Sequence, residues 1–364
     1  MKEYNKDDDM LQQDSPRLQK AKQVRRRQVN KFMRVMDRIF GFMLATALVG
    51  VIALFGAAYV FEKGPSPELR DTFVLTMKET RRFGFVSNLF LDSETVDKIV
   101  SDASYVKKFE QPVVTYDSNG SSEVVETEEL QSKYAVDDDG DGIIFEEIKK
   151  GGFVGYMITV LDPKRVIIGT PDNFGGSGWT MEQLVQKYDA LGGVNGGGFK
   201  DEGGTGSGGL PVGLTIIDGV CYGDTNGESA FVGFDKDGKM YFGYFNDWLA
   251  QQFGVINGVS FGPLLITNGE PASSESLGSG VNPRTAIGQR GDGAVMMLCI
   301  DGRQVHSMGA TYQDCIDIML ERGAVNAINM DGGSSTTMYY NGRYVNKPSG
   351  EATSRLFPSV FLFK

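Results

Sequence analysis

"SAFVGFDKDGKMYFGY", residues 229–244, decides the fold class: two runs rich in aromatic and aliphatic residues meet at Lys236-Asp237-Gly238-Lys239. Asp-Gly supplies the positive φ angles of a tight turn, so the stretch predicts an antiparallel hairpin. "YYNGRYVN" (339–346) repeats the design around Asn341-Gly342. Working outward, "GYMITVLDPKRVIIGT" (155–170), "LPVGLTIIDGV" (210–220), "AVMMLCID" (294–301) and "SVFLFK" (359–364) also predict strands. Two helices interrupt them, Thr180 to Ala190 and Thr311 to Glu321, each with a threonine N-cap and a partner three residues on, Gln183 or Asp314. The expected class is α+β, with mixed, mainly antiparallel sheets, a few packed helices and one transmembrane helix ahead of them.

That membrane helix is "GFMLATALVGVIALFGAAYVF" (41–61), uncharged over a length that spans a bilayer. A cleaved signal peptide is the rival reading; the long stretch that precedes it favours an uncleaved anchor. Arg25, Arg26, Arg27, Lys31, Arg34 and Arg38 crowd its N-terminal flank, which puts residues 1–40 in the cytoplasm as a basic tail and the remainder outside the plasma membrane. Residues 1–30 have the composition of a disordered segment. Residues 62–136 are expected as a helical stalk, with Leu69, Phe73 and Met77 at helical spacing and a second helix in "LDSETVDKIVS", followed by a polar linker from Gln111 to Val136. The main domain is expected over 137–364.

Composition narrows the chemistry. A net charge of −11 with no basic tract beyond the first forty residues excludes a nucleic-acid-binding surface. Cys221, Cys299 and Cys315 are too few for a disulfide framework or a CxxC metal site. His306 is the single histidine, so a His-rich zinc site is excluded and acid–base work falls mainly to carboxylates; that residue either lines the cleft or packs beside it. "GTGSGG" (204–209) fits GxGxxG, but a strand-like run follows where a phosphate-binding helix belongs, and a Rossmann site is rejected. Asp137, Asp139, Asp141 and Glu146 in "VDDDGDGIIFEEI" partly fit a calcium loop; an acidic turn entering a strand is the alternative.

Both helices run through a glycine stop into a short strand that ends in Asn195 or Asp331 with paired glycines, Gly196 and Gly197 or Gly332 and Gly333. Asp301 ends another strand. A pair of carboxylates in one cleft suits glycosidic cleavage. Arg284, beside Thr285 in "NPRTAIGQ", offers a fork for a phosphate or carboxylate, or else a structural ion pair.

In order, "GGVNGGGF", "FGPLLITNGE", "NPRTAIGQ", "LCIDGRQ", "SMGATYQDCIDIMLERGAVNAINMDGGSSTTM" and "YVNKPSG" with "SRLFPSVFLF" resemble the phosphodiester glycosidase family. That family includes the lysosomal enzyme that uncovers mannose 6-phosphate and bacterial proteins often labelled exopolysaccharide biosynthesis proteins. The resemblance covers roughly residues 151–364. It implies hydrolysis of a sugar-1-phosphodiester at the anomeric carbon, with Asp331 and Asp301 as catalytic carboxylates. Arg284 would then hold the phosphate and Asn195, Asn329, Ser334, Ser335 and Asn346 the sugar hydroxyls, with Thr285, Gly196, Gly197, Gly332 and Gly333 completing the substrate site. A phosphate is a good leaving group once its charge is neutralised, so a dedicated acid is dispensable, and no cofactor is required apart from the calcium candidate. The chain departs from the animal enzyme in lacking a Cys-rich tail and in carrying an N-terminal anchor. An envelope or capsular glycan with sugar-phosphate links is therefore the expected substrate. Two other classes remain open: a non-catalytic glycan-binding or envelope-assembly protein, and a phosphodiesterase using Asp301, Asp331 and Asn195 as metal ligands.

Overall fold

The computed structural model describes residues 16–80, 83–104, 114–116, 137, 139–200, 208–223, 227–273, 277, 279–350 and 355–364. It divides into two compact units, Met1–Lys63 and Gly64–Lys364.

The described part of the first unit is one helix, α1 (Pro16–Lys63). Within it Asn30–Lys63 is long and apolar enough to cross a membrane, by length and composition. The helix begins well before the apolar stretch, so residues 16–30 differ from the disorder expected of their composition. Gln, Lys and Arg are good helix formers, and they extend the apolar helix without a break. Residues 1–15 of the expected tail lie outside the described residues.

In the second unit, α2 (Pro67–Glu79) starts at Ser66, whose side chain accepts from Leu69 N, with Pro67 in the first turn. It packs Val74 and Leu75 against Leu91, Val96 and Ile99 of the following turn and of α3 (Ser93–Ser104), while Leu69 is exposed. The helices expected as a stalk are thus part of the compact unit, and the buried face is not the one their spacing suggested. Of the expected linker, only β1 (Val114–Tyr116) is described, and it pairs with residues 240–242 as a sheet strand.

The other strands follow in chain order. β2 (Ile143–Lys150), β3 (Phe153–Val160) and β4 (Val166–Gly169) precede the helix α4 (Met181–Tyr188), which leads into β5 (Gly192–Asn195). Then come β6 (Leu214–Ile217), β7 (Val220–Gly223), β8 (Ser229–Asp235) and β9 (Met240–Phe245), with the short α5 (Asp247–Gln252) before β10 (Val255–Ser260). β11 (Leu264–Thr267), β12 (Glu270–Pro271), β13 (Arg284–Arg290) and β14 (Val295–Ile300) lead to α6 (Tyr312–Glu321) and β15 (Ala324–Met330). β16 (Met338–Tyr340), β17 (Arg343–Tyr344) and β18 (Val360–Phe363) complete the set. The two expected hairpins form as β8–β9 and β16–β17. Both expected helices carry reciprocal capping boxes, Thr180 with Gln183 and Thr311 with Asp314.

Every strand pair is antiparallel, in three sheets: β1-β9-β8-β10-β6-β7, β12-β11-β15-β13-β14-β3-β2 and β17-β16-β5-β18-β4. One core draws on all three, with Phe234 and Phe242, Met297 and Ile328, and Val194 and Phe361 in contact. The seven-stranded sheet also buries its other face, where Leu298, Ile300 and Ala327 meet Cys315, Ile316 and Met319 of α6. Burial on both faces is why "AVMMLCI" reads as a continuous apolar run rather than an alternation. On the five-stranded sheet, Met181, Leu184 and Val185 of α4 cover Val360 and Leu362. Thus α4–β5 and α6–β15 are parallel constructions on different sheets, and their strand ends meet.

Candidate active site

The meeting is direct. Asn195 Nδ2 donates to Asp331 O (2.7 Å), and Asp331 N donates to Gly196 O (3.3 Å). Asn195 Oδ1 accepts from Thr285 Oγ1 (2.7 Å) and Thr337 N (3.1 Å). One buried amide therefore ties together the ends of β5 and β15, the start of β13 and the segment leading to β16. β13 lies between β14 and β15, with Arg284 opposite Ile300 and Thr285 opposite Met330. Adjacent strands stand about 4.8 Å apart, so the backbone ends that carry Asp301 and Asp331 are roughly 10 Å apart across it.

Asp301 and Asp331 are placed differently. Asp331 is partly exposed, as are Gly332, Gly333 and Ser334. Asp301 is fully buried and surrounded by donors: Asn346 Nδ2 (3.1 Å) and Lys347 N (2.9 Å) reach Oδ1, and His306 Nε2 lies 3.1 Å from Oδ2. Asn346 is itself committed, since it also donates to Thr336 O (3.0 Å) and accepts from Met338 N (2.7 Å). Asn346 thereby connects the buried carboxylate to the strand that follows Gly332–Ser335.

Several residues expected to face a ligand are internal. Asn329 is buried and donates to Gly262 O (2.9 Å), holding the loop before β11. Ser335 is buried beneath Arg355, whose Nε donates to its hydroxyl (2.8 Å) while the guanidinium stands 5.1 Å from the Phe199 ring centroid. The paired glycines do not leave room for a ligand; they let protein backbone approach. A Cβ on Gly196 would stand 2.9 Å from Ser359 O, on Gly197 2.8 Å from Ser260 O, and on Gly332 2.9 Å from Pro283 O. Gly333 has φ +62° and borders Arg303, whose Nη1 would stand 3.2 Å from its Cβ.

Arg284 is the largest departure from expectation. Its guanidinium is buried, donates to Ala310 O (3.1 Å) and Gly280 O (2.6 Å), stacks 4.3 Å from the Tyr312 ring centroid and pairs with Glu79 of α2 (3.0 Å). Glu79 also accepts from Gly280 N (3.1 Å) and Asn282 Nδ2 (2.5 Å), so an intramolecular carboxylate fills the anion cradle of "NPRT". Burial opposes the charge of Arg284, but Tyr312 and Glu79 outweigh it and raise its pKa. An exposed cation of the region is Arg303, given no role by the sequence reading although it stands in "LCIDGRQ". It has φ +58°, donates through Nε and Nη2 to Asn282 Oδ1 (3.1 and 2.8 Å), and is exposed to solvent. Burial of its inner part lowers its pKa, with Glu79 acting against and Arg284 acting with that effect. Guanidinium remains charged at neutral pH regardless.

The thiols are not candidate nucleophiles. Burial pushes Cys315 up to about 12 and raises Cys299 further. At the calcium candidate, carboxylate atoms of Asp137, Asp139 and Asp141 lie within 4.8 Å of one another. Those groups already cap backbone amides: Asp137 accepts from Gly140 N and Gly142 N (both 2.9 Å), and Asp141 from Ile143 N (2.7 Å). Glu146 does not close the loop, because it pairs with Arg322 (3.2 Å) from β2. The "GTGSGG" stretch lies mostly outside the described residues.

The strands that meet at this junction fall in a segment, 188–364, that matches a family model described as phosphodiester glycosidase. Residues 188–364 are thus similar to phosphodiester glycosidases. Curated relatives include an SPbeta prophage-derived uncharacterized protein, YomE, of Bacillus subtilis, 30% identical over 52% of this chain and 29% of its own length. N-acetylglucosamine-1-phosphodiester alpha-N-acetylglucosaminidase of Mus musculus is 25% identical over 56% and 43%. The chain thus spans less than half the length of these relatives. Among solved structures, the zebrafish N-acetylglucosamine-1-phosphodiester alpha-N-acetylglucosaminidase catalytic domain aligns over 64% of this chain and 86% of its own, with a TM-score of 0.51 and 23% identity. That likeness is one of fold. The α2–α3 segment, with Glu79, lies ahead of the matched residues.

Proposed function

We propose that this chain is a glycosidase that hydrolyses a sugar-1-phosphodiester at the anomeric carbon. The observation that carries the reading is the Asn195 junction, which gathers four strand ends of a segment similar to phosphodiester glycosidases around a partly exposed Asp331. Asp331 serves as the carboxylate that faces the positively charged transition state, and Ser334 offers a hydroxyl to the sugar. Arg303 and Arg355 take the phosphate, the role that sequence reasoning gave to Arg284. The relatives named for N-acetylglucosamine-1-phosphodiesters make that linkage the first substrate to try.

In this reading α1 is an uncleaved anchor, its basic flank cytoplasmic and the domain outside, acting on an envelope or exopolysaccharide glycan. Protease added to intact cells should then remove the domain and spare the tail.

The decisive experiment incubates the detergent-solubilised full chain with an α-N-acetylglucosaminyl phosphodiester and with a panel of other glycosyl phosphodiesters. Free sugar and a phosphomonoester are expected, and Asp331→Ala should lower the rate at least about 100-fold with an unchanged unfolding transition. Saturable glycan binding without product, insensitive to Asp331→Asn, would assign the domain to binding instead.

A further inference from the structure

We propose that His306 is the base that activates the attacking water, with Asp301 as its positioning residue. This rests on the hydrolase reading above and adds the group that moves the proton. Asp301 cannot meet a substrate: its side chain has no exposure, and Asn346 and Lys347 hold its oxygens alongside the histidine. Its route to solvent is His306, whose side chain is 34% exposed and whose Nε2 lies 3.1 Å from Oδ2.

The pairing fixes the tautomer. A carboxylate held by donors accepts from Nε2–H, which leaves the lone pair on Nδ1. The ring's loop is braced rather than loose. Gln304 and Ser307 exchange two backbone hydrogen bonds (3.0 and 3.1 Å), and Ser307 Oγ donates to Asp301 O (2.6 Å). Arg303 N closes the loop on Met308 O (3.0 Å). The same loop carries Arg303 against Gly333, and Asn346 joins Asp301 to the segment after Ser335. The loop that carries His306 therefore borders the Gly332–Ser335 segment that follows Asp331.

In the step, Nδ1 takes a proton from water as the water oxygen bonds to the anomeric carbon. The bond from that carbon to the phosphate oxygen breaks, its electron pair leaving with the phosphate. The departing phosphomonoester needs no proton, so one base completes the balance, and the imidazolium returns its proton to solvent.

The test compares the full chain with His306→Gln and His306→Gly on an α-N-acetylglucosaminyl phosphodiester, with and without free imidazole. Both variants should lose about 100- to 10,000-fold in rate, and imidazole should restore part of the glycine variant's rate but not the glutamine variant's. Wild-type rates in His306→Gly, or a loss that imidazole leaves untouched in a folded variant, would overturn the assignment while the hydrolase reading stood. An inactive wild type would sink both. Because the chain has one histidine, its ring-nitrogen NMR spectrum also decides without substrate: a proton on Nε2 is expected, and a proton on Nδ1 overturns the proposal.

Discussion

Asn195 spends its whole side chain inside the protein, on Asp331 O, Thr285 Oγ1 and Thr337 N. Asn195→Ala should cost about 2–4 kcal/mol in urea unfolding, because three buried groups lose their partner at once. The proposed activity should fall with it, because the Asp331 backbone loses the Asn195 bond. The residue types of the site were legible: Asn195, Asp301, Asp331 and their neighbours do converge. What one sequence does not carry is exposure. Asp301 and Asp331 end equivalent-looking "ID" and "MD" strands, yet one is fully buried beneath Asn346 and Lys347 and the other is partly exposed. His306 lies five residues after Asp301, and only the tight Gln304–Ser307 turn brings its ring back. A lone histidine just after a strand-end aspartate was the signal available, and it did not state a direction.

At the scale of elements, α2 differs most from its reading. Its short apolar face packs on the α3 segment, while its polar residues Thr76 and Glu79 meet the "NPRT" cradle, a partner that sequence alone does not name. Thr76 Oγ1 accepts from Val281 N (2.9 Å), and a side chain at Gly280 would collide with the Thr76 backbone. Glu79→Ala leaves Arg284 buried with less compensation. It should destabilise the domain by about 2–3 kcal/mol, the lower end of what breaking a buried pair costs, because Glu79 is itself partly exposed. Thermal unfolding reads that loss, and Glu79→Gln, which keeps an acceptor, should lose less. Capped helices and Asp-Gly or Asn-Gly hairpins were legible because their determinants lie within a few residues. The docking of α2 was not, since it joins Glu79 to Arg284 across most of the chain.

For the molecule as a whole, the α+β class with antiparallel sheets followed from strand composition and turn chemistry, whereas the three-sheet arrangement did not. Its pairings bring β5 beside β16 and β18, and β3 beside β14, contacts that no local pattern encodes. The proposed reaction belongs to this scale too, because its groups come from the ends of the seven-stranded and five-stranded sheets and the loops that follow them. Hydrolysis in oxygen-labelled water should put the label on the sugar and none on the phosphate, at a rate that a chelator leaves unchanged. Label on phosphate with chelator sensitivity would choose the metal-dependent phosphodiesterase.

β18 sits between β5 and β4, and it contributes Val360 and Phe361 opposite Asn195 and Val194. During synthesis the ribosome delivers Asn195 long before Val360 emerges. Until it does, β5 lacks one neighbour and the Asn195 junction has no settled floor. The strand position beside Asn195 is therefore filled only after residues 360–363 have emerged and paired with β5.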